Sequence, residues 1–518
     1  MVYLKRPHLY YPSMRIDGVL HETTRRCDKL AFLYPYELTY AEFNSKVDEF
    51  ASKLRELGMK EGDRIAIYAS NSIEWIIAYF GIIRAGCAVV PLSPLFKEYE
   101  LEFHLKDSGA KGIVVDEVLH PTVKNSKAEV ECIILERIIE RGKENKANTL
   151  EQIDLQVDPK EDVAVIPYTA GTTGTPKGVM LTHFNAVSNA LQFAVASEIH
   201  ENDVSLITLP LYHSYALHIL MLGGVWTGLS FVIMKRFDVK EFCELIERYK
   251  VTVIGTTAAM IIYLTDFLEK SERSYNWSSW RLAIIGASPV PEDVMARIKP
   301  ILKEKCNNES LVFQHGWGMT EASPCVALNP FYANRPETQG IALSDVEAKV
   351  IDENGRELGF GEMGEIVLKG PNIMKGYLNR DPSDGFIEIN GERWLRTGDL
   401  GYIDEEGYHH LIDRIKEVIK YKGHTVAPAE VEALLLKHPA VFDAAVIGKP
   451  DAIAGEISKA FVALKDEYKG KIKEEELIEW VRERIAEYKR IRELEFVDSI
   501  PRSPAGKVLR RMLKDREV

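Results

Sequence analysis

The sequence lacks the features typical of secreted proteins, of proteins with structural zinc sites and of repeat proteins. Its six cysteines stand at positions 27, 87, 132, 243, 306 and 325, with no C-x-x-C pair. This spacing argues against a disulfide framework or a zinc site and predicts a reducing, cytoplasmic compartment. Residues 1–18 contain no apolar run, so we expect no secretory signal. The chain shows no internal repeat and no low-complexity tract.

Positive charge is scarcer than negative charge. The 65 Lys and Arg residues stand against 78 Asp and Glu residues, which gives a formal net charge of −13 without any Lys/Arg block. We therefore expect no nucleic-acid partner, and a polyanionic ligand would need positive charge concentrated at its own site. The length of 518 residues exceeds one typical domain and predicts a large body with at least one further unit.

Long hydrophobic runs are also rare. Residues 216–234 form a stretch of 19 residues in which His218 is the only ionisable side chain, and that length could span a bilayer. However, Gly223, Gly224 and Gly228 interrupt it. We predict a buried helix, a turn and a short strand here, and no integral membrane segment.

Strand-like and helix-like segments alternate through most of the chain. This alternation predicts an α/β fold with doubly wound, mostly parallel sheets, and Thr39 with Glu42 predicts a capping box at one helix start. From about residue 340, short strands and Gly, Asn and Asp turns indicate a β subdomain. We expect a large N-terminal domain at 1–412, a hinge at 413–417 and a small α+β C-terminal domain at 418–518.

The strongest local motif is a Gly- and Thr-rich stretch, residues 168–179. It follows a strand predicted over 162–167 and precedes a helix predicted over 180–192. Backbone N–H groups, hydroxyls and the ammonium of Lys177 are groups that bind a polyphosphate. Gly178 follows Lys177, whereas a Walker A loop requires Ser or Thr there. A surface turn rich in Gly and Thr is the alternative interpretation.

Seven further motifs follow this stretch along the chain. They are Tyr212-His213, 286–289, 316–321, Thr397-Gly398-Asp399, 413–417, 421–423 and 501–507. Together with 169–178 they resemble, in the same order, the AMP-forming acyl-CoA synthetases of the adenylate-forming superfamily, which includes fatty-acyl-CoA and 4-coumarate–CoA ligases and firefly luciferase. The resemblance covers nearly the whole chain. It implies that a carboxylate attacks the α-phosphate of ATP to give an acyl-adenylate and pyrophosphate, and that the thiol of coenzyme A then displaces AMP.

The resemblance implies a phosphate and metal site in the N-terminal domain. The loop residues that would neutralise pyrophosphate are Thr169, Ala170, Gly171, Thr172, Thr173, Gly174 and Lys177. Glu321 would bind Mg²⁺, for which a carboxylate is an expected oxygen ligand, and the metal would stabilise the leaving oxygens. The hydroxyl of Thr320 would bond a phosphate. The alternative for these two residues is a helix N-cap with a first-turn acid.

The same resemblance implies an adenosine site. The residues of the adenine slot would be Ala287, Ser288, His315, Gly316 and Trp317. Asp399 would accept hydrogen bonds from the ribose hydroxyls, and Arg414 would donate to them. The alternative for Asp399 is an ordinary acidic residue of a β-turn.

The C-terminal domain would carry Lys507, whose ammonium joins the α-phosphate and the carboxylate. At roughly 4 Å and an effective dielectric near 20, one such charge pair is worth about 4 kcal/mol; the alternative is a solvated tail lysine. The resemblance implies that this mobile domain rotates about Lys416 between the two steps. Gly423 would then lie against the pantetheine, while Lys420 and Lys422 assist at the adenylate and at coenzyme A.

The acid pocket is the least specific part of the resemblance. His213 would gate it, and its walls would include Tyr215, Ala216, Ala258 and Met260. Such a wall suits an alkyl or aryl group, and one methylene changes binding by only about 1–3 kcal/mol. Residue types therefore do not give the chain length. We expect a medium- or long-chain fatty acid first, an aromatic acid second and a small acid third.

Two other interpretations stay open at this point. Only 11 residues follow Lys507 (518 − 507), so we expect no fused carrier domain and favour free coenzyme A, with a separate carrier protein as the alternative acceptor. A non-catalytic nucleotide-binding protein would be indicated by loss of Lys507, Glu321 or Asp399, and all three are present. We expect a cytoplasmic ligase that uses ATP, Mg²⁺, coenzyme A and a small-molecule carboxylic acid, with a homodimer as an open alternative.

Overall fold

The computed structural model describes residues 4–135, 155–169, 176–286, 290–422, 424–451, 453–502 and 508–516. The chain divides into two compact units. The large unit comprises Leu4–Glu347 and Leu368–Leu395, and the small unit comprises Ala348–Val367 and the chain from Arg396 onward. The domain boundaries expected from the sequence, at 412/413 and 417/418, stay a prediction.

Helices and strands alternate through the first part of the chain, as the sequence pattern predicts. In chain order the elements are α1 (Ile16–Arg26), β1 (Leu30–Tyr34), β2 (Leu38–Thr39), α2 (Tyr40–Glu56), β3 (Arg64–Tyr68), α3 (Ile73–Arg84), β4 (Ala88–Leu92), α4 (Glu98–Ser108), β5 (Gly112–Val115), α5 (His120–Asn125), β6 (Glu131–Ile134), β7 (Val163–Val165), β8 (Tyr168–Thr169), β9 (Lys177–Thr182), α6 (His183–Ala196), β10 (Val204–Ile207), α7 (Gly223–Thr227), β11 (Ser230–Ile233), α8 (Val239–Tyr249), β12 (Val253–Thr257), α9 (Ala258–Lys270), β13 (Leu282–Gly286), α10 (Glu292–Cys306), β14 (Val312–Gly318), β15 (Cys325–Leu328) and β16 (Ile341–Ala342).

The second part of the chain is richer in strands. Its elements are β17 (Glu347–Ile351), β18 (Gly364–Lys369), β19 (Gly376–Tyr377), β20 (Phe386–Ile389), β21 (Glu392–Ile403), β22 (His409–Arg414), β23 (Ile419–Tyr421), β24 (His424–Val426), α11 (Pro428–Leu435), β25 (Val441–Asp451), β26 (Gly455–Leu464), α12 (Glu474–Arg482), β27 (Ile491–Phe496) and α13 (Arg510–Lys514).

Two large sheets organise the large unit. The first has the order β16-β15-β14-β13-β12-β10-β11-β1-β2, and the second has the order β19-β9-β7-β4-β3-β5-β6 with β8 paired to β9. All neighbours from β14 to β1 are parallel, as are those from β7 to β6. Antiparallel pairs occur at the sheet ends. The predicted α/β architecture with mostly parallel sheets is confirmed.

The helix predicted over residues 180–192 is wrong at its start. Residues 177–182 form strand β9, which pairs antiparallel with β7, β8 and β19, and α6 begins only at His183. Thr182 caps that helix, because its hydroxyl accepts a hydrogen bond from the Asn185 N–H at 3.1 Å. The Gly- and Thr-rich stretch therefore connects two antiparallel strands and does not lead into a helix.

Two local predictions are confirmed. Thr39 and Glu42 form the expected capping box at the start of α2. Residues 216–234 run through a π-helical segment that starts one residue earlier (Tyr215–Leu222), then α7, a left-handed Gly228 with φ of 80° and strand β11. In the part of the chain that the structure describes, no helix is long and apolar enough to cross a membrane.

The small unit contains two sheets. In one, β18 lies between β17 and β21, and β22 pairs with β21. The other has the order β24-β23-β26-β25, with β27 parallel to β26. Apolar side chains of α11 and α12, including Val431, Leu435, Leu477 and Val481, pack in one buried cluster with this sheet. This arrangement is the α+β domain that the sequence predicts.

Candidate functional site

The Gly- and Thr-rich stretch is held at both ends by the second large sheet. Thr169 at the end of β8 and Lys177 at the start of β9 are paired in register. A Cβ atom on Gly178 would lie 3.0 Å from Ile166 Cγ2 and 3.2 Å from Leu378 Cβ, so a larger residue there would make these neighbours move by a few tenths of an ångström. The predicted site residues Ala170, Gly171, Thr172, Thr173 and Gly174 lie outside the described residues.

Lys177 and Glu321 are brought together by a residue that the sequence analysis missed. The Lys177 ammonium lies 3.0 Å from Asp384 Oδ2 and 4.6 Å from the centroid of the Tyr377 ring. The hydroxyl of the same tyrosine donates to Glu321 Oε1 at 2.9 Å. Four residues therefore form one continuous set of contacts, here called the Tyr377 cluster: Asp384, Lys177, Tyr377 and Glu321.

Thr320 and Glu321 lie in a short 3₁₀ turn, Thr320–Ala322, directly after β14 and Met319. The turn starts at Thr320, so this residue is not the N-cap of a helix. The Met374 N–H donates to the Glu321 carbonyl at 2.9 Å, which fixes the backbone of the turn. Glu321 is only 8% exposed.

Glu321 offers a magnesium ion a single carboxylate ligand. Among the described residues, no group of three or more His, Cys, Asp or Glu side chains could hold a metal ion. Mg²⁺ is commonly bound through one or two carboxylates together with substrate phosphates and water. Glu321 therefore fits a metal that arrives with a phosphate ligand, rather than a metal held by a protein cage.

The predicted adenine residues His315, Gly316 and Trp317 lie within β14. His315 is buried, its Nε2 has no hydrogen-bond partner among the described residues, and burial lowers the pKa of its imidazole. A buried neutral ring nitrogen without a partner fits a ligand that supplies a hydrogen bond. A Cβ atom on Gly316 would lie 2.7 Å from Leu328 Cδ1. Ala287 and Ser288 lie outside the described residues.

Tyr215 packs at the end of β13. Its hydroxyl donates to the Ile284 carbonyl at 2.9 Å, and a Cβ atom on Gly286 would lie 2.9 Å from Tyr215 Cε1. Glycine at 286 therefore makes room for the tyrosine ring. Ala216 follows in the π-helical segment and is fully buried. His213 is exposed, and its Nδ1 accepts from the Tyr215 N–H at 3.3 Å.

The remaining predicted pocket residues begin α9. Ala258 and Met260 are both buried, and the Thr257 hydroxyl accepts from the Met260 N–H at 3.4 Å. Thr257 is in register with Gly286 on the parallel strands β12 and β13, so α9 begins beside the residue that Tyr215 covers. Ligands of such sheets bind beyond the carboxyl ends of the strands, which is where these side chains meet.

In the small unit, Asp399 and Arg414 form an ion pair. They face each other in register on β21 and β22, with 2.7 Å between Arg414 Nε and Asp399 Oδ1. Arg414 also donates to the Thr397 carbonyl at 2.8 Å. Because Asp399 lies within a 12-residue strand, the alternative of a simple β-turn acid is wrong. The pair presents one donor and one acceptor group in a fixed orientation.

Three of the lysines predicted for the site lie on the surface of the small unit. Lys416 is exposed in the turn after β22, and Lys420 lies on β23, where its N–H donates to Glu456 Oε2 at 2.8 Å. Lys422 is also exposed and has a left-handed backbone with φ of 46°. Gly423 and Lys507 lie outside the described residues. The residues that border the segment 503–507, Arg502 and Val508, form an antiparallel bridge.

Comparison with known proteins gives matches along nearly the whole chain. The family model for an AMP-binding enzyme matches residues 20–378, and the model for the AMP-binding enzyme C-terminal domain matches residues 430–507. The chain is 36% identical over 494 residues to 4-coumarate:CoA ligase 1 of Petunia hybrida, which covers 92% of this chain and 89% of that protein.

Solved structures give the same result. The long-chain-fatty-acid-CoA ligase of Archaeoglobus fulgidus is 37% identical with a TM-score of 0.75, covering 96% of this chain and 99% of that chain. The O-succinylbenzoate coenzyme A synthetase of Bacillus subtilis, in complex with ATP and magnesium ion, is 29% identical with a TM-score of 0.82, covering 96% and 99%. The chain therefore belongs to the AMP-binding enzyme family of the adenylate-forming superfamily. Within it, the protein is an AMP-forming ligase of the acyl/aryl-CoA class.

Proposed function

We propose that this ligase activates a medium- or long-chain fatty acid with ATP and transfers the acyl group to coenzyme A. The observation that carries the proposal is the Tyr377 cluster. It brings one ammonium to the ring face of a single tyrosine and one buried carboxylate to its hydroxyl. A phosphate ligand with its metal ion requires both charges. The buried, apolar residues Ala216, Ala258 and Met260 support an acid with an apolar body.

Each residue of the site has its own role in this proposal. Lys177 balances the charge of the phosphates. Glu321 would hold Mg²⁺, which when bound stabilises charge on the departing pyrophosphate oxygens. The neutral His315 offers the adenine its Nε2, which has no partner among the described residues, and the Asp399–Arg414 pair recognises the ribose hydroxyls.

Lys507 supplies the ammonium for the first step in this proposal. The attacking carboxylate oxygen bonds the α-phosphorus while the bond to pyrophosphate breaks, so two anions meet and a cation between them lowers the barrier. In the second step the thiol sulfur of coenzyme A bonds the acyl carbon, AMP leaves, and the thiol proton is released. The hinge role of Lys416 and the contacts of Lys420, Lys422 and Gly423 with the ligands stay predictions.

Replacing Lys507 by Ala tests the first-step assignment. Acid-dependent pyrophosphate release should fall by about two to three orders of magnitude, equivalent to about 2.7–4 kcal/mol. Thioester formation from supplied acyl-adenylate should fall much less, because no α-phosphate is attacked in that step. Lys514→Ala on α13 is the matched control and should affect neither half-reaction. An equal fall in both half-reactions for Lys507→Ala would contradict the assignment.

An aryl acid is the second candidate substrate. The identity to 4-coumarate:CoA ligase 1 favours it, and the ring of Tyr215 over Gly286 offers a flat aromatic wall. Pyrophosphate release with palmitate, octanoate, 4-coumarate, benzoate and acetate, each with and without coenzyme A, separates the two candidates. A preference for 4-coumarate or benzoate would replace the fatty acid by the aryl acid. Release without thioester formation would indicate a separate carrier protein as the acceptor.

A further inference from the structure

We propose that Tyr377 is a positioning residue for both the Lys177 ammonium and the Glu321 carboxylate, and that Asp384 holds the ammonium until phosphate displaces it. This inference rests on the proposed function, since it assumes that Lys177 and Glu321 serve a phosphate ligand and its metal. Neither Tyr377 nor Asp384 belongs to the motifs that identify the phosphate site.

The backbone around Tyr377 ties two separate parts of the site together. Residues 376–377 form β19, and Tyr377 is in register with Val179 on β9. The Leu378 N–H donates to the Gly178 carbonyl at 2.8 Å, and the Met374 N–H donates to the Glu321 carbonyl at 2.9 Å. One five-residue segment, 374–378, is thus bonded both to the strand that starts with Lys177 and to the turn that contains Glu321.

The contacts of the Tyr377 side chain with Glu321 and with Lys177 are chemically different. Its hydroxyl donates to one oxygen of Glu321, which orients the carboxylate and leaves the second oxygen for a metal. Its ring face lies below the Lys177 ammonium, so the ring attracts the cation electrostatically. In a direct ion pair, the cation and the anion would neutralise each other. Tyr377 lies between them and holds each in place while both keep their charge for a ligand.

Asp384 gives Lys177 a counterion that ligands can replace. The carboxylate lies 3.0 Å from the ammonium, and its side chain is 36% exposed. Because this carboxylate is open to solvent, its pairing with the ammonium is weak, and a multiply charged phosphate can displace it. Asp384 therefore competes with phosphate for Lys177, and its removal should strengthen phosphate binding.

Asp384→Asn tests the competition. Calorimetric titration with magnesium pyrophosphate should show binding about three- to tenfold tighter than in the wild type, which corresponds to about 0.6–1.4 kcal/mol. The KM for ATP should fall by a similar factor. Glu161→Gln, which removes an exposed carboxylate 3.2 Å from Lys375, is the matched control and should bind as the wild type does. Unchanged or weaker pyrophosphate binding in Asp384→Asn would overturn the role of Asp384.

Tyr377→Phe tests the positioning of Glu321, because it removes the hydroxyl and keeps the ring. In calorimetric titrations of ATP at varied Mg²⁺ concentration, the apparent affinity for Mg²⁺ should fall about ten- to 100-fold, as expected for loss of a hydrogen bond that orients a metal-binding carboxylate. The kcat at saturating Mg²⁺ should stay within about twofold of the wild type, since Tyr377 does not touch the reacting atoms. An unchanged Mg²⁺ dependence would overturn the role of Tyr377.

The chain offers a close control for this exchange. The Tyr36 hydroxyl also donates to a glutamate, Glu74 Oε1, at 2.9 Å, so Tyr36→Phe removes an equivalent bond elsewhere and should leave the Mg²⁺ dependence unchanged. The binding measurements also separate two kinds of failure. If no acid supports pyrophosphate release by the wild type, the proposed function fails, whereas the titrations with pyrophosphate and Mg²⁺ still decide the roles of Asp384 and Tyr377.

Discussion

Arg510 in the small unit and Lys177 in the large unit are both mostly buried cations, but their partners differ. Arg510 is 11% exposed and donates to both carboxylate oxygens of Glu432 at 2.8 Å and to Glu417. Lys177 is 16% exposed, and among the described residues it pairs with one carboxylate, that of Asp384, which is itself 36% exposed. A cation enclosed by anions stabilises the fold, whereas a cation with one accessible partner can exchange that partner for a ligand.

The pKa values in the Arg510 cluster show how strongly its charges depend on one another. Burial alone would lower the pKa of Arg510, but Glu432, Glu417 and Asp413 raise it. Burial raises the pKa of Glu432 and of Asp413, and the guanidinium opposes that rise. Removing one member therefore leaves the others buried without compensation.

The largest expected effect is on stability and comes from Arg510→Met. The unfolding free energy should fall by about 3–5 kcal/mol, because Glu432 and Glu417 lose the charge that compensates their burial. Denaturant titration followed by circular dichroism measures the change. The double variant Arg510→Met with Glu432→Met should recover part of the loss, since both charges of the bidentate pair are then gone.

Arg502 provides the comparison for this variant. It precedes the segment 503–507, whereas Arg510 follows it, and it pairs with Asp443 at 2.7 Å, but its side chain is 36% exposed. Arg502→Gln should therefore cost at most about 1 kcal/mol. If Arg502→Gln destabilises the protein as much as Arg510→Met does, enclosure by anions is not what distinguishes the two arginines.

The next largest effect concerns Lys177, where activity and stability should separate. Lys177→Met should lower acid-dependent pyrophosphate release by about 10²-fold, as loss of one preorganised charged donor does. The unfolding free energy should change by no more than about 1 kcal/mol, because the pair with Asp384 is accessible to solvent. Lys375→Met is the control for activity. A loss of stability equal to that of Arg510→Met would remove the contrast between the two cations.

Per pH unit, the smallest effect concerns two buried histidines that stay neutral. Burial lowers the pKa of His183 and His218 to about 4, whereas an unfolded histidine titrates near 6.5. As the pH falls from about 6.5 to about 4, the unfolded chain binds protons that the folded chain does not. The unfolding free energy should therefore fall by about 1.4 kcal/mol per pH unit for each histidine, and this contribution should level off below about pH 4.

Comparison of the wild type with His218→Gln isolates this contribution from that of the carboxylates. The pH dependence between 6.5 and 4 should lose about 1.4 kcal/mol per unit in the variant. Urea titrations at several pH values give the required slopes, independently of the absolute stability of the variant. An unchanged slope would mean that His218 takes up its proton in the folded protein as readily as in the unfolded chain.

Local patterns predict most of the large unit correctly. The capping box of Thr39 and Glu42 involves residues three apart, and Gly228 ends a helix through its own left-handed backbone, so both signals lie within the segment that they shape. The helix predicted over 180–192 failed at residues 180–182 because these belong to a strand. The partners of that strand include β19, which lies far along the chain. No pattern within residues 180–192 predicts this pairing.

The same reason explains what the sequence analysis missed in the site. Lys177 and Glu321 stand in recognisable motifs, whereas Tyr377 and Asp384 follow no local pattern. The contact of Tyr377 with Glu321 spans 56 residues, and that of Asp384 with Lys177 spans 207. Such contacts depend on how the strands are ordered in the sheet, and that order becomes visible only in three dimensions.

The pairing of Thr169 with Lys177 has a consequence for engineering. Lys177 takes its position from the ladder between β8 and β9, so its register does not depend on the number of residues between the two strands. The entropy of closing a connection between two strands grows slowly, by about 0.6 kcal/mol for each doubling of its length. A chimaera that receives the sequence between Thr169 and Lys177 from another ligase, shorter or longer by a few residues, should keep its lysine in register.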